Sequence, residues 1–140
     1  MKKYLGMLLI AAAFASCKKE STPTVVLNEK VDLAVATPKD TGTFVNGPYG
    51  NVKGTARIYV TEGKYSLALT DFAASNGPDL KVYLSKETDP QNFVNLGSLR
   101  SVNGNQVYDI PASVNVADYK YALIFCQQFK HLFGYSELKK

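Results

Sequence analysis

From Thr55 onward, apolar and polar residues alternate with a period of two in short runs, and turn residues break the runs at regular intervals. "TARIYV" (55–60) sets Ala56, Ile58 and Val60 on one face. "KYSLALTDF" (64–72) sets Tyr65, Leu67 and Leu69 against Ser66, Ala68 and Thr70. "DLKVYLS" (79–85) directs Leu80, Val82 and Leu84 inward and Lys81, Tyr83 and Ser85 outward. "NLGSLR", "QVYDIP" and "KYALIFC" continue the series. A helix repeats every 3.6 residues and cannot keep such a stripe on one side. No segment of the domain carries a helical period of useful length.

The breaks are "TEGK", "SNGPD", "DPQN", "VNGNQ" and "PASVNVAD". In "NGPD", Gly77 supplies an unusual φ and Pro78 fixes its own, so the chain reverses before Asp79. Half-buried strands need a second apolar layer. The expected fold is therefore all-β, an antiparallel β-sandwich of about 7–9 strands. No internal repeat is visible.

"YALIFC" (121–126) differs in being apolar on both faces, as a central strand covered from each side would be. Alternation puts Tyr121, Leu123 and Phe125 on one face and Ala122, Ile124 and Cys126 on the other. Gln127 and Gln128 follow, so Cys126 is expected at the strand exit, near one end of the sandwich. Burial and access are both compatible with that position.

The N-terminus is of another kind. Lys2 and Lys3 precede a short apolar stretch, Leu5 to Phe14, and the small residues Ala15 and Ser16. That stretch is too short to span a bilayer, which takes about 20 residues. It reads as an export signal. "FASC" (14–17) resembles the lipobox of bacterial lipoproteins, with Phe14 where Leu is usual. The resemblance implies removal of residues 1–16, acylation of Cys17 and anchoring through lipid, since two acyl chains already hold stably.

Residues 17–43, rich in Ser, Thr, Pro, Val and charge, are expected to form a flexible tether, and residues 44–140 the folded domain. "VDLAVAT" (31–37) could add an edge strand or a weak helix. "GPYGNVKG" (47–54) reads as a loop leading into the first main strand.

Charge excludes one function class. Loss of Lys2 and Lys3 leaves 14 basic side chains against 12 acidic ones. No basic run beyond Lys18-Lys19 supports nucleic-acid binding. Metal sites lack ligands: there is no C-x-x-C or H-x-x-x-H, and His131 is the only histidine. No G-x-S-x-G or phosphate loop appears, and a stand-alone enzyme is not expected.

One residue stands out. With Cys17 acylated, Cys126 is the lone thiol of an exported chain and cannot form an intrachain bridge. Such a thiol is reactive, a ligand, an intermolecular bridge or simply buried; free cysteine is among the most buried residue types. Lys120, Lys130 and His131 are cations that could activate it if the fold brought them near, although His131 reads better as a turn or surface residue.

"GNVKGTARIYV", "NGPDLKVYLS", "LGSLRSVNGNQVYDIP" and "IFCQQFKHLFGYSEL", in this order from about Gly50 to Leu138, resemble the electron-transfer DM-thirteen domain family. The resemblance implies a β-rich extracellular or envelope module. It also implies a redox role for the cysteine ending an apolar strand, here Cys126, as a naked thiol or as the holder of a group such as haem. Phe125, Phe129, Phe133 and Tyr135 could wall a haem slot.

The expected protein is an envelope lipoprotein, outer-membrane bound with a periplasmic or surface face, whose domain transfers electrons through Cys126 to a redox partner protein. The alternative is a binding module for a ligand or protein, with Cys126 a core residue and Tyr59, Tyr83 and Tyr121 as candidate contact rings.

Overall fold

The computed structural model describes residues 21–140. The expected signal and Cys17 lie outside the described residues. Nine strands form one sheet: β1 (Leu27–Asn28), β2 (Thr37–Asn46), β3 (Val52–Thr61), β4 (Lys64–Ala74), β5 (Leu80–Ser85), β6 (Phe93–Ser98), β7 (Gly104–Asp109), β8 (Tyr121–Cys126) and β9 (His131–Glu137). A 3-10 turn at Val116–Asp118 is the one helical element among the described residues. All pairings are antiparallel except β1 with β7. The all-β expectation and the number of strands hold.

The sandwich is made by a single sheet curled onto itself, in the order β1-β7-β4-β3-β2-β9-β8-β5-β6. β2 turns the corner. Its first part pairs with β3 as far as Thr43, and Phe44–Asn46 then pair with β9. A register shift between Pro38 and Thr41 bends it, as bulges do at sheet corners. The two halves face each other across one core. Ala56, Ile58, Leu67 and Leu69 come from one side, and Leu80, Val82, Leu84, Ala122, Ile124 and Cys126 from the other. Each fully buried Leu or Ile contributes about 1.5–3 kcal/mol.

The alternation read from sequence fixes the inward faces correctly. The hairpin β3–β4 turns at Glu62-Gly63, both at positive φ, the geometry that matches strand twist. Three strands lack a clear signal in the sequence: the two-residue β1, β2 and β9. β2 carries Pro38 and mostly polar residues, and β9 is broken by Gly134.

The expected tether also differs. From Thr22 the chain runs along the sheet rather than away from it. Thr22 bonds Gly77 and Asn76, the Pro23 carbonyl accepts from Val102, and Leu27 pairs with Gly104. Gly104, at φ +93, allows this: a Cβ there would lie 2.1 Å from the Leu27 carbonyl oxygen. Arg100 then grips Glu29 with two bonds of 2.6 Å, and Glu29 accepts the Val107 N–H at 2.9 Å. "VDLAVAT" becomes a turn capped by Asp32, which accepts from Ala34 N–H, before β2 begins.

Strand directions sort the loops. The segments 47–51, 75–79, 99–103 and 127–130 share one rim of the sandwich, where the described chain also starts. The β3–β4 turn and residues 110–120 form the opposite rim.

Candidate functional site

β8 lies between β5 and β9, with Cys126 opposite Leu80 on one side and His131 on the other. Its inner face, Ala122, Ile124 and Cys126, faces the main core, and its outer face carries Leu123 and Phe125. Tyr83, Tyr121, Leu132 and Tyr135 cover that outer face. This is why the sequence of β8 is apolar throughout. A register shift between Ile124 and Phe125 lets Phe133 join the inner core, while Leu132 and Tyr135 stay outside.

Cys126 is the last residue of the strand, and Gln127 N–H donates to the Asp79 carbonyl at 3.0 Å. The tip 127–130 is exposed, with Lys130 at φ +55. The expected placement at a strand exit is met. The sulfur is nevertheless enclosed: Cys126 is 1% exposed, in one buried cluster with Leu80, Ile124 and Phe133. It is free, with no disulfide.

His131 has a larger part than its sequence position suggested. It opens β9, and its ring stacks on Tyr49 at 3.7 Å and 2° between planes. Phe129 lies 6.0 Å from the same ring. Of the cations considered near the thiol, Lys130 and His131 lie at the Cys126 end. Lys120 does not; it precedes Tyr121, and its N–H donates to Ser85 at the far rim.

A haem beside the sulfur does not fit this arrangement. The four aromatics expected to wall a slot are distributed over three places: Phe133 inside, Phe125 and Tyr135 outside, Phe129 exposed at the tip. The inner space next to Leu80 is filled by the Phe133 ring, onto which Gly50 and Gly77 close. A Cβ on Gly77 would come within 2.8 Å of that ring and one on Gly50 within 2.6 Å. No group of three His, Cys, Asp or Glu side chains suited to a metal occurs among the described residues.

The candidate contact rings are also relocated. Tyr59 is buried against Ala36 and Ala68, and Tyr83 is 1% exposed. Tyr121 is half-buried, and the exposed rings are Tyr49, Phe93 and Phe129. Phe93 stacks on Tyr83 at 4.3 Å, and Tyr83 lies 5.4 Å from Phe125. These three rings, with Asp89, Gln127 and Lys130, line an open cleft of about 370 Å³ on the outer face of β5 and β8. Burial, then the negative charge of Asp79, holds the Tyr83 phenol above its ordinary pKa. The cleft escaped sequence reading because Tyr83 and Phe125 lie 42 positions apart; the available signal was aromatic residues at outward positions.

Comparison with known proteins decides the family. Residues 43–138 match the family model described as electron transfer DM13. The chain belongs to the DM13 family. No curated protein and no solved structure matches it. The DM13 match runs from the corner of β2 to the residue after β9, and so includes Cys126, Tyr49, His131 and the outer cleft. The segment from Thr22 to Gly42 lies outside the match, yet it supplies β1, the Glu29 clamp and the first part of β2.

Proposed function

We propose that this chain is an envelope lipoprotein whose DM13 domain takes part in electron transfer, with Cys126 as its redox group. The observation that carries the reading is the family match from the corner of β2 through β9, with one free thiol at the exit of its double-covered strand. Cys126 is a protected thiol. Oxidation of a thiolate needs access, so reaction proceeds only when the tip 127–130 lifts away from Asp79. The tip is exposed and ends on a positive-φ residue, whereas the strands on either side of Cys126 are fully paired. Local opening at a hairpin end costs less than global unfolding. The "FASC" motif supports acylation at Cys17 and attachment to the envelope membrane.

Burial of the sulfur favours a second reading, a binding module in which Cys126 only packs and the cleft at Tyr83, Phe93 and Phe125 holds a ligand or partner.

Thiol labelling separates the two. The folded, lipidated protein is treated with a small thiol reagent across a urea series. A labelling rate that stays finite well below the unfolding transition supports redox use of Cys126. Labelling that tracks global unfolding, with unchanged electron exchange in Cys126→Ala, supports the binding module. Mass spectrometry of the N-terminal peptide tests acylation at Cys17 independently.

A further inference from the structure

The start of the described chain and the Cys126 exit lie on the same rim. Thr22 bonds Gly77 and Asn76; two residues further on, the Asp79 carbonyl accepts the N–H of Gln127, the first residue of the tip. Ser21 and Thr22 line one shallow cleft with Pro78, Asp79 and Leu80. The chain leaves this rim with little slack. Only Lys18, Lys19 and Glu20 separate Ser21 from Cys17, so their Cα atoms are at most about 14 Å apart.

Exposed apolar side chains collect at this rim. Tyr49 is 57% exposed and Phe129 is 54% exposed; His131 stacks on Tyr49, with Phe129 tilted 6.0 Å from it. Lys130 stands beside Phe129 at the tip. Val25 and Val26, 70% and 68% exposed, lie where the strap meets Ser101. An amphipathic Tyr49 ring and an apolar Phe129 ring with a neighbouring lysine suit the headgroup level of a bilayer, where the rings meet the acyl boundary and the ammonium meets phosphate. Lys18 and Lys19, next to the anchoring cysteine, add attraction to anionic lipid.

We propose that this rim rests on the membrane, with Tyr49 and Phe129 inserted at the lipid headgroup interface. This rests on the reading of Cys17 as lipidated. β4, with 11 residues, is about 35 Å long, so the opposite rim stands well clear of the bilayer. Cys126 then lies just inside the membrane-facing end. An electron partner reaching it by opening of the tip approaches from the membrane side, along the plane of the bilayer.

The chain contains no tryptophan, so one introduced ring reports alone. The full lipidated chain carrying Phe129→Trp, and separately Ser113→Trp on the opposite rim, is reconstituted in phosphatidylethanolamine–phosphatidylglycerol vesicles containing brominated phosphatidylcholine. Both positions are exposed. The expected result is blue-shifted emission from Phe129→Trp and quenching by brominated lipid at least about twofold stronger than for Ser113→Trp. Tyr49→Trp should behave as Phe129→Trp does. Equal, weak quenching in acylated, vesicle-bound protein overturns the orientation and leaves the lipoprotein reading intact. Protein that lacks acyl groups by mass spectrometry and stays off the vesicles overturns both.

Discussion

Cys126 and His131 stand directly opposite each other across the β8–β9 ladder, yet they occupy different surroundings. Cys126 is closed into the core, while His131 is half-buried at the rim against the exposed ring of Tyr49. A four-residue tip separates them. The sulfur is thus one strand position from solvent, under a lid with few buried contacts of its own. That arrangement encloses the thiol beside an exposed tip.

Substitution at Cys126 should report this enclosure. Cys126→Ala leaves a small cavity and is expected to cost about 1–2 kcal/mol. Cys126→Ser puts a hydroxyl in apolar surroundings and should cost roughly 1–3 kcal/mol more than alanine. Urea denaturation of the two variants gives the order. A serine variant as stable as alanine would mean that water already reaches this position.

Phe133 closes the rim, and Gly50 makes room for it. Gly50→Ala would place its Cβ 2.6 Å from the Phe133 ring, against a backbone-anchored part of that side chain. The expected loss is about 1–3 kcal/mol, by overpacking. It should be accompanied by faster thiol labelling of Cys126 in the folded state. Thermal unfolding and labelling kinetics on the same sample check both effects; a destabilised variant with unchanged labelling would separate the ring from the lid.

Ser136 is fully buried on the inner side of β9, and its Oγ has no hydrogen-bond partner. Removing an unsatisfied buried hydroxyl relieves its desolvation cost. Ser136→Ala is therefore expected to stabilise the domain by up to about 1 kcal/mol. A fall in melting temperature would show that the hydroxyl has a role in the native state.

The strap should loosen in acid. Desolvation works to raise the Glu29 pKa, but the Val107 N–H bond and then Arg100 outweigh it and hold the carboxyl below the ordinary 4.5. A depressed folded-state value stabilises the native form above the unfolded pKa, and that stability is lost as pH falls through the folded value. Protection factors of the amides at residues 22–29, corrected for the intrinsic exchange rate at each pH, should fall in this range below pH 4.5 in the native protein. In Glu29→Gln these protection factors should be low and independent of pH. Both side chains are more than a third exposed, so the ion pair itself contributes only about 0.2–1 kcal/mol. Exchange that rises equally across the sheet would indicate global unfolding and refute a local clasp.

Much of this architecture was legible in the chain. Alternation in residues 55–60, 64–72 and 79–85 identified three strands and their inward faces. The double-sided apolarity of residues 121–126 identified a strand covered on both faces, with Cys126 at its exit. β2 and β9 were not legible. β2 changes neighbours midway and so has no single buried face, and the shift near Phe133 breaks the period of β9. Outward residues also misled: Tyr83 and Ser85 alternate as surface residues do, but Phe93, Phe125 and the 86–92 loop cover them.

Patterning along the chain sets what is local. Period-two patterning specifies strands because successive side chains point to opposite faces, and Gly, Asn and Pro specify turns through the φ values they permit. It therefore set the all-β class, the inner face of β8 and the position of Cys126 at that strand's end. Tertiary structure decided which distant residues meet. It curled one sheet into two layers, clasped Glu29 to Arg100 across 71 positions, closed Phe133 over Gly50 and Gly77, and stacked His131 on Tyr49. Whether the sulfur is enclosed depends on these long-range contacts, since burial is a property of what packs against a residue and not of the residue's own period.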